Sequence, residues 1–196
     1  YSDPDFLEHL KGGIAYAIGK HKPIVLKKSR SKKPEAPATG FVKTSLACNL
    51  FEPMEMEMLP DGRVLLIERR GDLKLFDPTS GEIKVVGSLD VFQDNEEGLL
   101  GLAIDPQFEQ NKWIYLYYAP LKGTSAIHLS RFEFSGDALQ YDTEKVLFEV
   151  VTDRSVHNFH AGGSILFDED GYLYVAAGDN TDHYSDGFTA IDERID

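Results

Sequence analysis

Apolar positions in this chain follow a helical period near its start and a strand period after residue 41. Over 2–18, Phe6, Leu10, Ile14 and Ala17 fall on one face, with Leu7 and Ile18 at its border, the spacing of a single amphipathic helix. Ser2 or Asp3 can cap it, Pro4 suits its first turn, Asp5 and Glu8 favour its positive end, and Gly19 is a stop. One such helix is not stable alone, so it is expected to belong to a preceding domain or to dock on the strands C-terminal to it. Beyond residue 40 the pattern changes to short strands introduced by turns. Pro60-Asp-Gly62 leads into 63–68, Asp105-Pro-Gln into 112–118, and Asp168-Glu-Asp-Gly171 into 172–177. Further alternating segments lie at 72–76, 82–86 and 128–134. The run starts, 63, 112 and 172, recur at roughly the length of a four-stranded propeller blade. The predicted fold is mainly β: a partial propeller of about three blades, whereas closed rings have about four to eight, preceded by one N-terminal α-helix. A β-sandwich is the alternative.

Between helix and strands, 20–40 read as a tether with Pro23, Pro34 and Pro37. It holds seven of the twenty bases: Lys20, Lys22, Lys27, Lys28, Arg30, Lys32 and Lys33. No aromatic side chains interleave with this basic run, so a solvated tether accounts for it better than a nucleic-acid patch. The expected domains are 1–19, 20–40 and 41–196. The chain opens at Tyr1 without Met and stops at Asp196 without helix-stop or tail chemistry, which reads as an internal piece of a longer polypeptide.

Composition narrows the class. Of 196 residues 42% are hydrophobic and 11% aromatic, which excludes wholesale disorder. No apolar run is long enough to span a membrane as a helix. The net charge is −13, which excludes general nucleic-acid binding. Cys48 is the one cysteine, so a disulfide scaffold and a multi-cysteine zinc site are excluded.

Three polar clusters are candidates for chemistry. The densest, 153–163, holds His157 and His160 just before Gly162 and Gly163. Histidine is the natural base near neutral pH, and paired glycines admit close backbone approach to a ligand. His160 reads either as a base over the Gly-Gly turn or as a residue that opens a strand. No third ligand accompanies the two histidines, so zinc has little support. The second cluster, Asp94-Asn-Glu-Glu-Gly98, contains Glu96 and Glu97 and is either a solvated loop or a polar rim. The third, Gly178-Asp-Asn-Thr-Asp-His183, contains Asp179 at a strand end; its spacing is not that of an EF-hand. Phosphate-cradling loops and a Gly-x-Ser-x-Gly elbow are absent. Trp113, Tyr115, Tyr117 and Tyr118 alternate along one strand and are expected to pack in the core. Glu133, Asp137 and Asp142 read as surface charge on edge strands.

Several stretches together resemble the glucose/sorbosone dehydrogenase family, soluble quinoprotein sugar dehydrogenases built on a six-bladed propeller. They are 65–76, Glu97-Gly-Leu-Leu-Gly-Leu-Ala-Ile-Asp-Pro-Gln-Phe108, Trp113-Ile-Tyr-Leu-Tyr-Tyr118, and 160–179 from His160-Ala-Gly-Gly163 to Asp179. The resemblance covers roughly 41–190 and matches the N-terminal half of such a domain. Tyr1-Ser-Asp-Pro-Asp-Phe6 and 9–19 resemble the end of a ThuA-like, trehalose-utilisation-type domain.

The family resemblance implies pyrroloquinoline quinone (PQQ) as cofactor, with calcium to orient and polarise it. It implies an aldose or polyol as substrate, an electron acceptor such as a cytochrome, and a periplasmic or secreted location. His160 takes the place of the general base that removes the C1 hydroxyl proton while hydride passes to the quinone. Glu96, Glu97, Gly162, Gly163 and Asp179 take places around the cofactor. Ser164 departs from the polar or Arg residue frequent after the Gly-Gly pair, and the acidic pair replaces an amide. The family's quinone-holding cations and calcium ligands belong mostly to the other half of the domain, so this piece alone is expected to be inactive. The alternative is a propeller that binds glycan or protein without redox chemistry; a calcium-dependent hydrolase is a third reading.

Overall fold

A computed structural model describes residues 45–123, 125–152, 154 and 160–178. The helix expected over 2–18 and the tether at 20–40 lie outside them, as do His157 and Asp179. The described residues form three antiparallel sheets in chain order. The first is β1 (Pro53–Met58), β2 (Val64–Glu68), β3 (Asp72–Asp77) and β4 (Glu82–Ser88). The second is β5 (Leu99–Ile104), a one-turn helix α1 (Phe108–Asn111), β6 (Trp113–Tyr118), β7 (Ala126–Ser135) and β8 (Ala138–Val151). The third pairs β9 (Gly162–Phe167) with β10 (Leu173–Ala177). Each four-stranded sheet is a meander in which every strand pairs with its sequence neighbour, the construction of a propeller blade. The fold is thus mainly β, two blades and the opening hairpin of a third, as the recurring runs predicted.

The turns follow from local chemistry. Where the first strand of each sheet passes to the second, an aspartate folds the chain by accepting main-chain N–H groups. Asp61 Oδ1 accepts from Arg63 at 3.0 Å, Asp105 Oδ1 from Gln107 at 2.8 Å, and Asp168 Oδ1 from Tyr172 at 2.8 Å. Asp105 also accepts from Asn111 Nδ2 and from the Tyr115 hydroxyl, each at 2.8 Å. Burial alone would raise the Asp105 pKa, but these bonds and the nearby Arg131 charge overcome it and hold the group below its ordinary value.

Two cores divide the second blade between its neighbours. Ile114, Leu116 and Tyr118 of β6 join Leu65, Ile67, Leu73 and Leu75 of the first blade. Tyr115 and Tyr117, one position out of phase, join Leu100, Ile127, Leu129, Ala161 and Ile165 on the side of the third. Alternation with both faces covered explains why β6 reads Trp-Ile-Tyr-Leu-Tyr-Tyr with no polar position. The two sides meet closely at a pair of glycines. A Cβ on Gly101 would lie 2.0 Å from the Gly163 carbonyl oxygen, and one on Gly163 would lie 2.6 Å from Leu100 Cβ. Charged groups also bridge the sheets. Arg63 Nη1 meets Asp137 at 2.7 Å, and Leu102 N–H donates to Glu55 Oε2 at 3.1 Å.

Candidate functional site

The site forms where the loop before β5 meets the chain entering β9. In that loop, Asp94 Oδ1 accepts from Asn95 N–H at 2.9 Å, and Glu97 N–H returns to the Asp94 carbonyl at 3.1 Å. Asn95 has φ +53°, a left-handed conformation that asparagine tolerates better than most residues. The turn directs two consecutive glutamates to different partners.

Glu96 reaches across to the third sheet, where its Oε2 accepts the main-chain N–H of His160 at 2.5 Å. His160 is exposed and has φ +61°. A left-handed histidine is uncommon and has an energetic cost; the Glu96 bond helps hold it. Two predicted site residues distant in sequence are therefore joined directly.

Glu97 takes the opposite course. It is fully buried, and Arg154 grips its Oε2 through Nε at 2.9 Å and Nη2 at 2.7 Å. Arg154 also donates to the Ala126 carbonyl at 3.3 Å and lies 4.2 Å from the Phe92 ring centroid, a cation–π contact. The Glu97 carboxylate therefore braces the second blade from within. Burial and the Glu97 charge push the Tyr117 hydroxyl up to about 12. That hydroxyl is buried without a hydrogen-bond partner among the described residues.

A cavity of about 270 Å³ opens at the starts of β5 and β9, lined by Glu52, Met54, Arg69, Asn95, Glu96, Leu100, Ala161 and Gly162. It adjoins His160 through Ala161 and Gly162. Gly162 (φ +72°) lines this space, but the sides of both glycines that lack a Cβ are filled, that of Gly162 by the main chain of 176–178 and that of Gly163 by Leu100. Arg69 lies within 65–76, one of the stretches that carry the family resemblance, but neither it nor Glu52 belongs to one of the three polar clusters, so neither was singled out as a candidate for chemistry. A larger cavity of about 490 Å³ lies at the other ends of the same strands, lined by Glu57, Asp105, Phe108, Phe167, Asp168 and others, and it does not include His160.

Among the described residues no three His, Cys, Asp or Glu side chains gather in a way that could hold a metal ion, and no helix is long and apolar enough to cross a membrane. The four aromatics of β6 serve packing as expected: Tyr115, Tyr117 and Tyr118 are buried, and Trp113 lies beneath Arg131 at 3.8 Å.

Comparison with known proteins adds a second line of observation. Residues 50–192 match the family model described as Glucose / Sorbosone dehydrogenase. The chain is 32% identical over 151 residues to the aldose sugar dehydrogenase YliI of Escherichia coli (strain K12), covering 74% of this chain and 40% of that protein. It is also 32% identical over 159 residues to the Hedgehog-interacting protein of Homo sapiens, covering 71% of this chain and 22% of that protein. The PQQ-bound form of an aldose sugar dehydrogenase from Streptomyces coelicolor superposes with a TM-score of 0.62 at 26% identity, over 76% of this chain and 45% of that one. The chain spans less than half the length of each of these relatives.

Proposed function

The chain belongs to the glucose/sorbosone dehydrogenase family, and from that premise we propose that it supplies the base-bearing part of a PQQ-dependent dehydrogenase acting on an aldose or related polyol. His160 is the base. The observation that carries this reading is the placement of an exposed histidine, held in a left-handed conformation by Glu96, beside the cavity at the starts of β5 and β9.

The chemistry of the lining separates two tasks. PQQ is a tricarboxylate and needs cations to hold it. The cavity offers one, Arg69, against Glu52 and Glu96, and the Arg69 guanidinium is already engaged by Glu52 at 2.8 Å and by loop carbonyls. The described residues therefore suit a neutral, hydroxyl-rich substrate and do not fit the carboxylates of the quinone. Holding the quinone falls to groups outside them, and the same is true of calcium.

When bound, the quinone supplies the hydride acceptor. His160 accepts the proton of the C1 hydroxyl, a transfer that needs a fixed donor–acceptor geometry. Glu96 fixes the main chain that carries the imidazole. Glu96 and Asn95 offer polar groups to substrate hydroxyls. The family reading also carries a periplasmic or secreted location and an acceptor such as a cytochrome for the electrons.

The test uses the intact protein, supplied with PQQ and calcium and followed by dye reduction over a panel of aldoses and polyols. Quinone-dependent turnover is expected, and His160→Ala is expected to lower it by roughly 10²-fold or more without loss of fold. An unchanged rate in His160→Ala overturns the role of the histidine. The acidic lining and the 32% identity to the Hedgehog-interacting protein favour a second reading, a binding propeller without redox chemistry. Absence of both turnover and quinone binding establishes that one instead.

A further inference from the structure

Arg69 sits in the turn between β2 and β3, in the first blade, yet one of its guanidinium nitrogens reaches the loop that precedes the second. Its Nη1 donates to the carbonyls of Asn95 at 3.1 Å and Glu97 at 3.0 Å, with Gln93 at 3.4 Å. Its Nε and Nη2 hold Glu52 Oε2 at 2.9 Å and 2.8 Å. Its main chain takes part as well: the Arg69 carbonyl accepts Leu99 N–H at 2.8 Å, and its N–H donates to the Glu52 carbonyl at 3.1 Å. A Cβ on Gly98 would lie 2.4 Å from the Arg69 carbonyl oxygen and 2.6 Å from Arg69 Cγ, so the main chain at Gly98 packs directly onto the arginine stem. The guanidinium thus brackets the segment that carries Glu96, with one acceptor on each side of it.

We propose that Arg69 is the positioning residue for His160. It fixes the curvature of 93–97, the loop presents the Glu96 carboxylate, and the carboxylate holds the His160 N–H at 2.5 Å. Glu52 completes the device by orienting the fork from its other side. A lysine carries its charge on one nitrogen and cannot bridge two loop carbonyls and a carboxylate in this geometry. The consequence for catalysis rests on the dehydrogenase reading above; the positioning itself does not.

The experiment measures hydrogen–deuterium exchange of the His160 amide in the intact protein, alongside melting temperature, kcat and KM. Arg69→Lys is the main variant and Glu52→Gln the second, since Arg69→Ala risks loss of fold. In Arg69→Lys, exchange at His160 is expected to rise by at least about tenfold while peptides from β6 keep wild-type rates. Displacement of a base acts on the chemical step, so kcat is expected to fall by about tenfold or more with KM changed by less than about threefold. Glu52→Gln is expected to show the same effects to a smaller degree. Wild-type exchange at His160 in folded Arg69→Lys overturns the proposal. So does a uniform rise across all peptides, which marks Arg69 as a general staple between blades. Faster exchange at His160 in a protein whose wild type shows no quinone-dependent turnover supports the positioning and overturns the dehydrogenase reading instead.

Discussion

The main-chain N–H of His160 donates to the carboxylate of Glu96 at 2.5 Å, joining residues 64 positions apart. Because the acceptor is an oxygen that an amide also offers, Glu96→Gln keeps the bond and loses only its charge assistance. Glu96→Ala removes it and lets the left-handed His160 relax. In the intact protein with PQQ, kcat of Glu96→Ala is expected to fall by about tenfold or more, and that of Glu96→Gln by much less. Equal rates in both variants and wild type would show that the bond has no part in placing His160.

The Arg154–Glu97 pair is buried, and its members are not equivalent to a surface salt bridge. Arg154→Ala removes the cation that grips the fully buried Glu97 carboxylate, at an expected cost of about 3–5 kcal/mol in urea denaturation. Replacing both partners, as in Arg154→Met with Glu97→Leu, is expected to recover most of that loss.

Tyr117 tests the opposite case. Its hydroxyl is buried without a partner among the described residues, so Tyr117→Phe relieves an unmet desolvation cost and is expected to leave stability unchanged or to raise it by about 1 kcal/mol. Tyr117→Ala removes the ring from the second core and is expected to cost about 3–5 kcal/mol. A large loss in Tyr117→Phe would contradict this account.

At the seam between the second and third sheets, Gly163 has φ +131° and no room for a Cβ beside Leu100. Gly163→Ala combines backbone strain with overpacking and is expected to cost about 2–4 kcal/mol. Leu100→Ala in the same background should not return it, because the obstructing atom is Leu100 Cβ, which alanine keeps. Thermal unfolding of the single and double variants checks both expectations.

Acid stability depends on Asp105. Its folded pKa is lowered, so the ionised group adds stability above the ordinary aspartate value of about 3.9. That stability is lost as pH falls from there through the lower folded value. Asp105→Asn is expected to be less stable than wild type at pH 7, and the difference is expected to shrink as pH falls below about 4. A difference independent of pH would assign the loss to packing and not to charge.

The strands most readable in the sequence were those with covered faces. Runs at 63–68, 112–118 and 172–177 became β2, β6 and β10, and the Asp turns before them are the ones observed. β1 escaped notice because its pattern is inverted: Glu55 and Glu57 are half-buried, whereas Met54, Met56 and Met58 are exposed among the described residues. Burial raises the pKa of both glutamates, a cost that composition does not reveal. β8 was legible only as scattered charge, since much of it is a long exposed edge whose Phe148 and Val151 face outward. At the site, His160 and Glu96 were marked by local motifs. Their partnership, the burial of Glu97 and the reach of Arg69 are tertiary facts that no local spacing encodes.

The second blade touches a different neighbour on each face, while β1 leaves Met56 and Met58 exposed and the third hairpin leaves Tyr172 and Tyr174 exposed. Stability between stacked sheets is a sum of nearest-neighbour couplings, so among the described residues β6, covered on both faces, is expected to be the last segment to exchange its amides. The loop bearing Glu96 enters this slowly opening sheet, and the Glu96–His160 bond ties the start of β9 to it.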